Sequence, residues 1–195
     1  NDHKGFFAMM ARMKYIERWA LMRNSVSENI CEHSLEVAML AHGLGIIGRK
    51  RFGKDLSPER LAMLGMYHDC TEIITGDMPT PVKYANDELK EAYKAIEDSA
   101  AHRLLEMLPE DLRAEYESYF LPEQITPEEY RYVKAANKLS ALIKCIEEEK
   151  TGNQEFRSAK QATYESLQQM NMPEVTVFCE VFLPEYYKTL DELEH

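Results

Sequence analysis

The chain has 195 residues, 45% hydrophobic and 29% charged, which suits one globular domain with a sizeable core. No apolar run approaches the roughly 20 residues of a membrane span, so no membrane partner is expected. A formal net charge of -11 argues against a nucleic-acid polymer as partner.

Along the chain, nearly every segment has helical period. The first residues, NDHKGFFAMMARMKY, show neither a long apolar core nor a small-residue cleavage site, so no secretory signal is expected. Residues 1–54 carry 9 Lys and Arg against 5 Asp and Glu, whereas the remainder carries 14 against 29. An anion site should therefore borrow its cations from the N-terminal quarter. Residues 5–17 predict a short helix. Asn29 with Glu32 resembles a capping box and predicts a helix to about Gly48, with Leu35, Ala38, Met39 and Leu44 facing inward. The basic run RKRFGK (Arg49 to Lys54) falls where that helix should end, where cations favour the dipole and Gly53 can cap. Ser57-Pro58 is a cap followed by proline at the first helical position. The helix it opens carries Leu61, Leu64 and Gly65 toward His68, and residues 66–75 read as helix too. Residues 87–107 predict a long amphipathic helix, and Pro109 opens a shorter one. Thr126-Pro127-Glu128-Glu129 is a full helix start, launching a helix to about Lys150 that Gly152-Asn153 breaks. Two more helices follow, split near Met172-Pro173. The expected architecture is all-α, one domain over 1–192. Residues 193–195 (Leu-Glu-His) look like the start of an expression tag and carry no functional weight. Cys31, Cys70, Cys145 and Cys179 lie far apart with no CxxC, and read as reduced thiols in a cytoplasmic protein.

The stretch MYHDCTEIITGDMPTP (Met66 to Pro81) concentrates ionisable residues. On a helix, His68 and Glu72 would share a face, as would Asp69 and Glu72. His68 and Asp69 could converge on one ion, and imidazole with carboxylate suits Mn²⁺, Co²⁺, Fe²⁺ or Zn²⁺. Glu72, one turn on, would be placed for proton transfer rather than ligation. A His-Asp pair alone is commonly a surface ion pair, so local spacing leaves both readings open. A further ligand must come from elsewhere. His33, in the first turn of its helix, is the leading candidate and His42 the competitor; His102 lies among charged residues and should be solvated.

Taken together, Glu32-His33, then His68-Asp69 in YHDCTE, then AANKLSALIKC on a later helix resemble the HD superfamily of metal-dependent phosphohydrolases. ERWALMRN (Glu17 to Asn24), CEHS (Cys31 to Ser34), TGDMPTPVKY (Thr75 to Tyr84) and LIKCIEE (Leu142 to Glu148) are similar to the bacterial 5′-deoxynucleotidases of the YfbR type, and the similarity covers almost the whole chain. The resemblance implies an HD-domain helical bundle, one divalent transition metal ion (Co²⁺, Mn²⁺, Fe²⁺ or Zn²⁺), a deoxyribonucleoside 5′-monophosphate substrate and a cytoplasmic homodimer. It implies that His33, His68 and Asp69 are metal ligands and that Glu72 is the catalytic acid/base. It implies that Arg18 orients the phosphate and Trp19 lies against the sugar and disfavours a 2′-hydroxyl. Thr75, Asp77, Met78, Pro79 and Thr80 would cradle the nucleoside, with Asp69 and Asn137 also in the substrate's surroundings.

One position departs from the pattern. The family's fourth ligand is an Asp, and here that position is Asn137. An amide oxygen can coordinate a metal but brings no charge. Asn137 is therefore compatible with a natural variant that binds through Oδ1, with a substitution that traps substrate, or with a nucleotide-binding protein of little turnover. The leading expectation is metal-assisted hydrolysis, in which Arg18 offers a bidentate fork to phosphate. A hydrolase of another phosphate ester is the other enzymatic alternative.

Overall fold

The computed structural model describes residues 4–194. His195, the last residue of the suspected tag, lies outside the described residues. Among the described residues the chain is all-α, with a single isolated antiparallel bridge between Glu17 and Asn29 in place of any sheet. The helices are α1 Phe6–Met10, α2 Ile30–Phe52, α3 Pro58–Tyr67, α4 Glu72–Thr75, α5 Thr80–Lys83, α6 Asp87–Leu105, α7 Glu110–Phe120, α8 Pro127–Lys150, α9 Arg157–Gln169, α10 Pro173–Val181 and α11 Leu190–Leu193.

The locally encoded helix starts form as the sequence requires. Asn29 and Thr126 each close a reciprocal capping box, with Glu32 and Glu129, and Ser57 accepts from the Arg60 amide. The long α2 and α8 pack side by side and supply most of one core: Val37, Leu40, Ala41 and Leu44 against Tyr132, Ala135, Ala136, Leu139 and Ile143. A second core gathers Phe6, Met13, Ile30, Cys70, Leu104, Leu105 and Phe120 beneath the N-terminal segment. The helix α3 lies almost on the α2 backbone. A Cβ built on Gly65 would approach the Val37 carbonyl oxygen to 3.1 Å and the Ala38 Cα to 3.2 Å. That close approach fixes where the end of α3, and therefore His68, sits relative to His33.

Several expectations are corrected. Leu35 and Met39 do not face inward: they are 58% and 60% exposed, and the buried stripe of α2 runs through Val37, Ala38, Leu40, Ala41 and Leu44 instead. The helix does not end near Gly48. Gly48 is a buried contact under Leu56 and Glu174, and α2 continues to Phe52, where Gly53 at φ +62° closes it with the Lys54 amide on the Gly48 carbonyl. Residues 5–17 divide into α1 and a 3₁₀ turn over Ala11–Tyr15. α2 is also the described helix long and apolar enough to cross a membrane, but 56% of that window is buried within the protein, as suits a core helix.

Between α1 and α2, residues 16–30 fold back on themselves. The Arg18 amide donates to the Glu28 carbonyl (2.8 Å) and the Ile30 amide to the Ile16 carbonyl (2.9 Å). Glu148 on α8 fastens this loop from below. Its carboxylate, 1% exposed, accepts from the amides of Ser25 and Val26, from Asn153 Nδ2 (2.9 Å) and from Lys144 Nζ (2.5 Å). Burial alone would raise its pKa, but Lys144, Asn153 and the two amides outweigh that and bring it down to about 2. The folded value lies below the ordinary one, so the contribution is complete above pH 4.5 and disappears as pH falls toward 2. Glu148→Ala leaves the buried Lys144 with the Val26 carbonyl but no counter-charge and takes the acceptor from the Ser25 and Val26 amides, and should cost about 3–5 kcal/mol. Thermal unfolding at pH 7 would read this as a fall of roughly 6–20 °C; a shift below roughly 2 °C would show that the loop is held by other contacts.

Candidate active site

α2, α3 and α8 deliver the ionisable residues to one place. The segment carrying His68 and Asp69 is not the continuous helix expected. α3 ends at Tyr67, residues 68–71 form a tight turn, and α4 begins at Glu72. The reason is visible at His68, whose Nδ1–H donates to the Gly65 carbonyl at 2.6 Å and engages an oxygen of the last helical turn. The turn runs on i→i+3 bonds, with Cys70 N to Tyr67 O, Glu72 N to Asp69 O and Ile73 N to Cys70 O. In that tighter winding i and i+3 eclipse, which brings Glu72 over Asp69 rather than over His68.

Ligand atoms of His33, His68 and Asp69 lie within 4.8 Å of one another. Asp69 Oδ2 is 3.0 Å from His68 Nε2 and 3.4 Å from His33 Nε2, and Asn137 Oδ1 is 2.8 Å from the same His33 nitrogen. The tautomers make this a cation site. His68 Nδ1–H donates to the Gly65 carbonyl, which leaves Nε2 to face Asp69; burial would lower the His68 pKa, but Asp69 at 3.0 Å outweighs it and raises it, so without an ion a proton is held between Nε2 and the carboxylate. Ser140 Oγ donates to Glu36 Oε1 (2.6 Å) and therefore accepts from His33 Nδ1 (2.9 Å). Burial lowers His33 to a pKa of about 4, so it is neutral at pH 7 and cannot donate from both nitrogens. The neutral His33 turns a lone pair at Nε2 toward the Asp69 and Asn137 oxygens, and a cation among them would pair with all three and take the place of the proton that His68 shares with Asp69. The donor set thus fits one divalent metal ion, with Gly65, Ser140 and Glu36 fixing the rings from behind.

The carboxyls around the set are displaced from their ordinary values. Burial would raise Asp69, but His68 and His33 outweigh it and hold Asp69 well below the carboxylate range. Burial first, then the charges of Asp69 and Asp77, push Glu72 up to about 10, and its Oε2 has no hydrogen-bond partner. Burial also raises Asp77.

The loop 16–30 supplies the rest. Arg18 is largely buried, with Nη1 unpartnered by any hydrogen bond and its guanidinium 5.6 Å over the Trp19 ring. Trp19 has φ +59°, a backbone region that costs a bulky residue on the order of 1–3 kcal/mol. Its ring packs on Phe156 at 5.3 Å, and its backbone N–H faces the Asp77 carboxylate. Past Gly76, at φ +74°, the chain turns through Asp77, with Met78 and Pro79 half-buried and Thr80 exposed at the start of α5. The Thr75 hydroxyl donates to the Gly76 carbonyl (2.9 Å) and lies 3.2 Å from Tyr93 Oη, so it holds the turn against α6.

The structure therefore joins His33, His68, Asp69 and Asn137 in one cluster, sets Glu72 beside it, and ties Arg18 and Trp19 to Asp77. Met78, Pro79 and Thr80 are placed near it only by following Asp77 in the chain. His42 is half-buried in mid-helix and His102 is exposed with Nδ1 donating to the Asp98 carbonyl. Three residues escaped the sequence reading: Glu28, Glu36 and Ser140. Nothing in SENI, SLEV or KLSA marks these three side chains as part of a site.

An all-α bundle that brings such a histidine-aspartate set together from crossing helices has the fold of solved HD-domain phosphohydrolases. Solved structures agree on the fold. An HD-domain phosphohydrolase from Listeria innocua superposes with a TM-score of 0.80 at 21% identity, covering 97% of this chain and 91% of that one. The cyanophage S-2L HD phosphohydrolase DatZ, bound to dA and one catalytic Zn²⁺, gives 0.64 at 22% identity over 93% and 96%. Sequence comparison is sharper. The model of the family described as 5'-deoxynucleotidase YfbR-like matches residues 5–186. A 5'-deoxynucleotidase of Vibrio cholerae is 47% identical over 188 residues, 96% of this chain and 97% of that protein. The 5'-deoxynucleotidase YfbR of Shigella boydii is 45% identical over 96% and 94%. The chain belongs to the YfbR-like 5'-deoxynucleotidase family.

Proposed function

We propose that the protein is a metal-dependent 5′-deoxynucleotidase that hydrolyses deoxyribonucleoside 5′-monophosphates to a deoxynucleoside and phosphate. The observation that carries this reading is the set His33, His68 and Asp69, with a buried cation, Arg18, and a partnerless carboxyl, Glu72, beside it. When bound, a divalent ion would supply Lewis-acid stabilisation of phosphoryl charge and an acidified water. Co²⁺, Mn²⁺, Fe²⁺ and Zn²⁺ all suit two imidazoles with oxygen donors.

The chain's own residues do the rest. Arg18 directs its unpartnered Nη1 at the phosphate, and burial strengthens that attraction relative to water. Glu72 holds and moves a proton at Oε2. Trp19, packed on Phe156, would lie against the sugar and disfavour a 2′-hydroxyl. Asp77, with Met78, Pro79 and Thr80 after it, borders the nucleoside. The reading as a nucleotide binder without turnover rests on Asn137 alone.

Phosphate release from paired deoxyribo- and ribonucleoside monophosphates, with Co²⁺, Mn²⁺ and Mg²⁺ added separately, tests the proposal. The expected result is release from the deoxy substrates under a transition metal. Equal rates on the ribo series would remove Trp19 from its role, and no release under any ion would favour the binder.

The proposal extends to a homodimer in the cytoplasm. Leu35, Met39 and Ile46 lie on one exposed side of α2, and a second copy would cover them. Light scattering should give twice the chain mass; a monomer at micromolar concentration would count against it.

A further inference from the structure

Glu28 has no role in the chemistry above, yet its carboxylate touches three parts of it. Oε2 accepts from the Trp19 indole Nε1 at 2.9 Å and lies 3.9 Å from Arg18 Nη1. Oε1 lies 3.7 Å from His33 Nδ1. The side chain is 14% exposed, so these contacts are made largely out of water. We propose that Glu28 is a positioning residue: one carboxylate holds the Trp19 ring and the Arg18 guanidinium in fixed relation, and thereby sets both the grip on phosphate and the preference for a sugar without a 2′-hydroxyl. This rests on the reading of Arg18 and Trp19 given under the proposed function.

The backbone is arranged to bring these groups together. The Glu17–Asn29 bridge and the bond from the Arg18 amide to the Glu28 carbonyl keep residues 18 and 28 side by side. Trp19 then takes its left-handed conformation, its carbonyl accepting from the Met22 amide (2.9 Å) and from Asn24 Nδ2 (3.1 Å). Those bonds fix the main chain but leave the indole free to turn about its own torsions. Packing on Phe156 restrains one side of the ring. The bond to Glu28 restrains the other, and it is the polar contact that decides where the ring's edge points. Arg18 has a matching need. A flexible cation loses rotamer freedom on binding phosphate, and an anion 3.9 Å away restrains it beforehand. The distance is too long for a full hydrogen bond, so Nη1 stays available to a ligand.

Trp19 is the only tryptophan in the chain, so its emission reports on this contact directly. Glu28→Gln keeps an oxygen for the indole but removes the charge beside Arg18. Glu28→Ala removes both. In metal-loaded protein, dAMP and AMP are titrated by tryptophan emission, and phosphate release is measured with the same pair. Glu28→Gln should keep the wild-type emission maximum and the ratio of dAMP to AMP affinity, while KM for dAMP rises roughly tenfold. Glu28→Ala should also shift the emission maximum and cut the dAMP to AMP ratio by roughly tenfold or more. If Glu28→Ala is folded and leaves emission, ratio and KM at wild-type values, the proposal is overturned. If it does not fold, Glu28→Gln with an unchanged KM overturns the link to Arg18, and Glu28→Gln with a lost sugar preference overturns the hydrogen-bond account of Trp19. Trp19→Phe separates this from the underlying reading: an unchanged sugar preference in that variant shows that Trp19 never discriminated.

Discussion

Glu72→Gln is expected to cut turnover by about 10²- to 10⁴-fold while metal content stays at the wild-type level. Glu72 lies next to the ligand set but contributes no atom to it, so its loss should be felt in proton transfer alone. Its Oε2 is buried without a partner, which is an expensive state for a carboxyl that does nothing. Burial and the charges of Asp69 and Asp77 already keep it protonated at neutral pH in the ion-free protein. Gln has the same shape and the same neutrality, so the fold should lose nothing, and the thermal midpoint without metal should equal or exceed that of the wild type. The pairing of a large kinetic loss with an undiminished midpoint distinguishes a proton-transfer group from a packing residue. Metal analysis, single-turnover phosphate release and thermal unfolding together check it. Turnover within about threefold of wild type would place the proton transfer elsewhere.

What could be read from the sequence, and what could not, divides by distance along the chain. Helix starts at Asn29, Ser57 and Thr126 were legible because a cap and its partner lie three residues apart, and all three form as written. His68, Asp69 and Glu72 were legible as a cluster but not as a geometry. The break after Tyr67 depends on a side chain capturing the Gly65 carbonyl, which helical periodicity does not register. The inward placement of Leu35 and Met39 failed because α2 is apolar on more than one side, and only packing against α3 and α8 selects the buried one. The Ser140–His33 contact spans 107 residues and the Glu28 contact to Trp19 depends on a left-handed tryptophan, so neither has a local signature.

Asn137→Asp should raise affinity for the divalent ion by about 10- to 100-fold and raise phosphate release with it. Asn137 Oδ1 already approaches His33 Nε2 to 2.8 Å, so the new carboxylate needs no rearrangement to join the set. It adds one negative charge beside Asp69, whose own charge is held by His68 and His33. That charge acts with opposite sign in the two states. Without metal, two carboxylates share a buried site, and the variant should melt below the wild type. With metal, the same pair is neutralised, and binding to the folded state alone should lift the variant above the wild type. The gap between melting temperatures in chelator and in saturating Mn²⁺ is therefore expected to widen in Asn137→Asp. Asn137→Ala, which removes the donor without adding charge, should narrow it. A gap that is the same in all three proteins would mean that position 137 is not a ligand, and that the ion is held by His33, His68 and Asp69 without it.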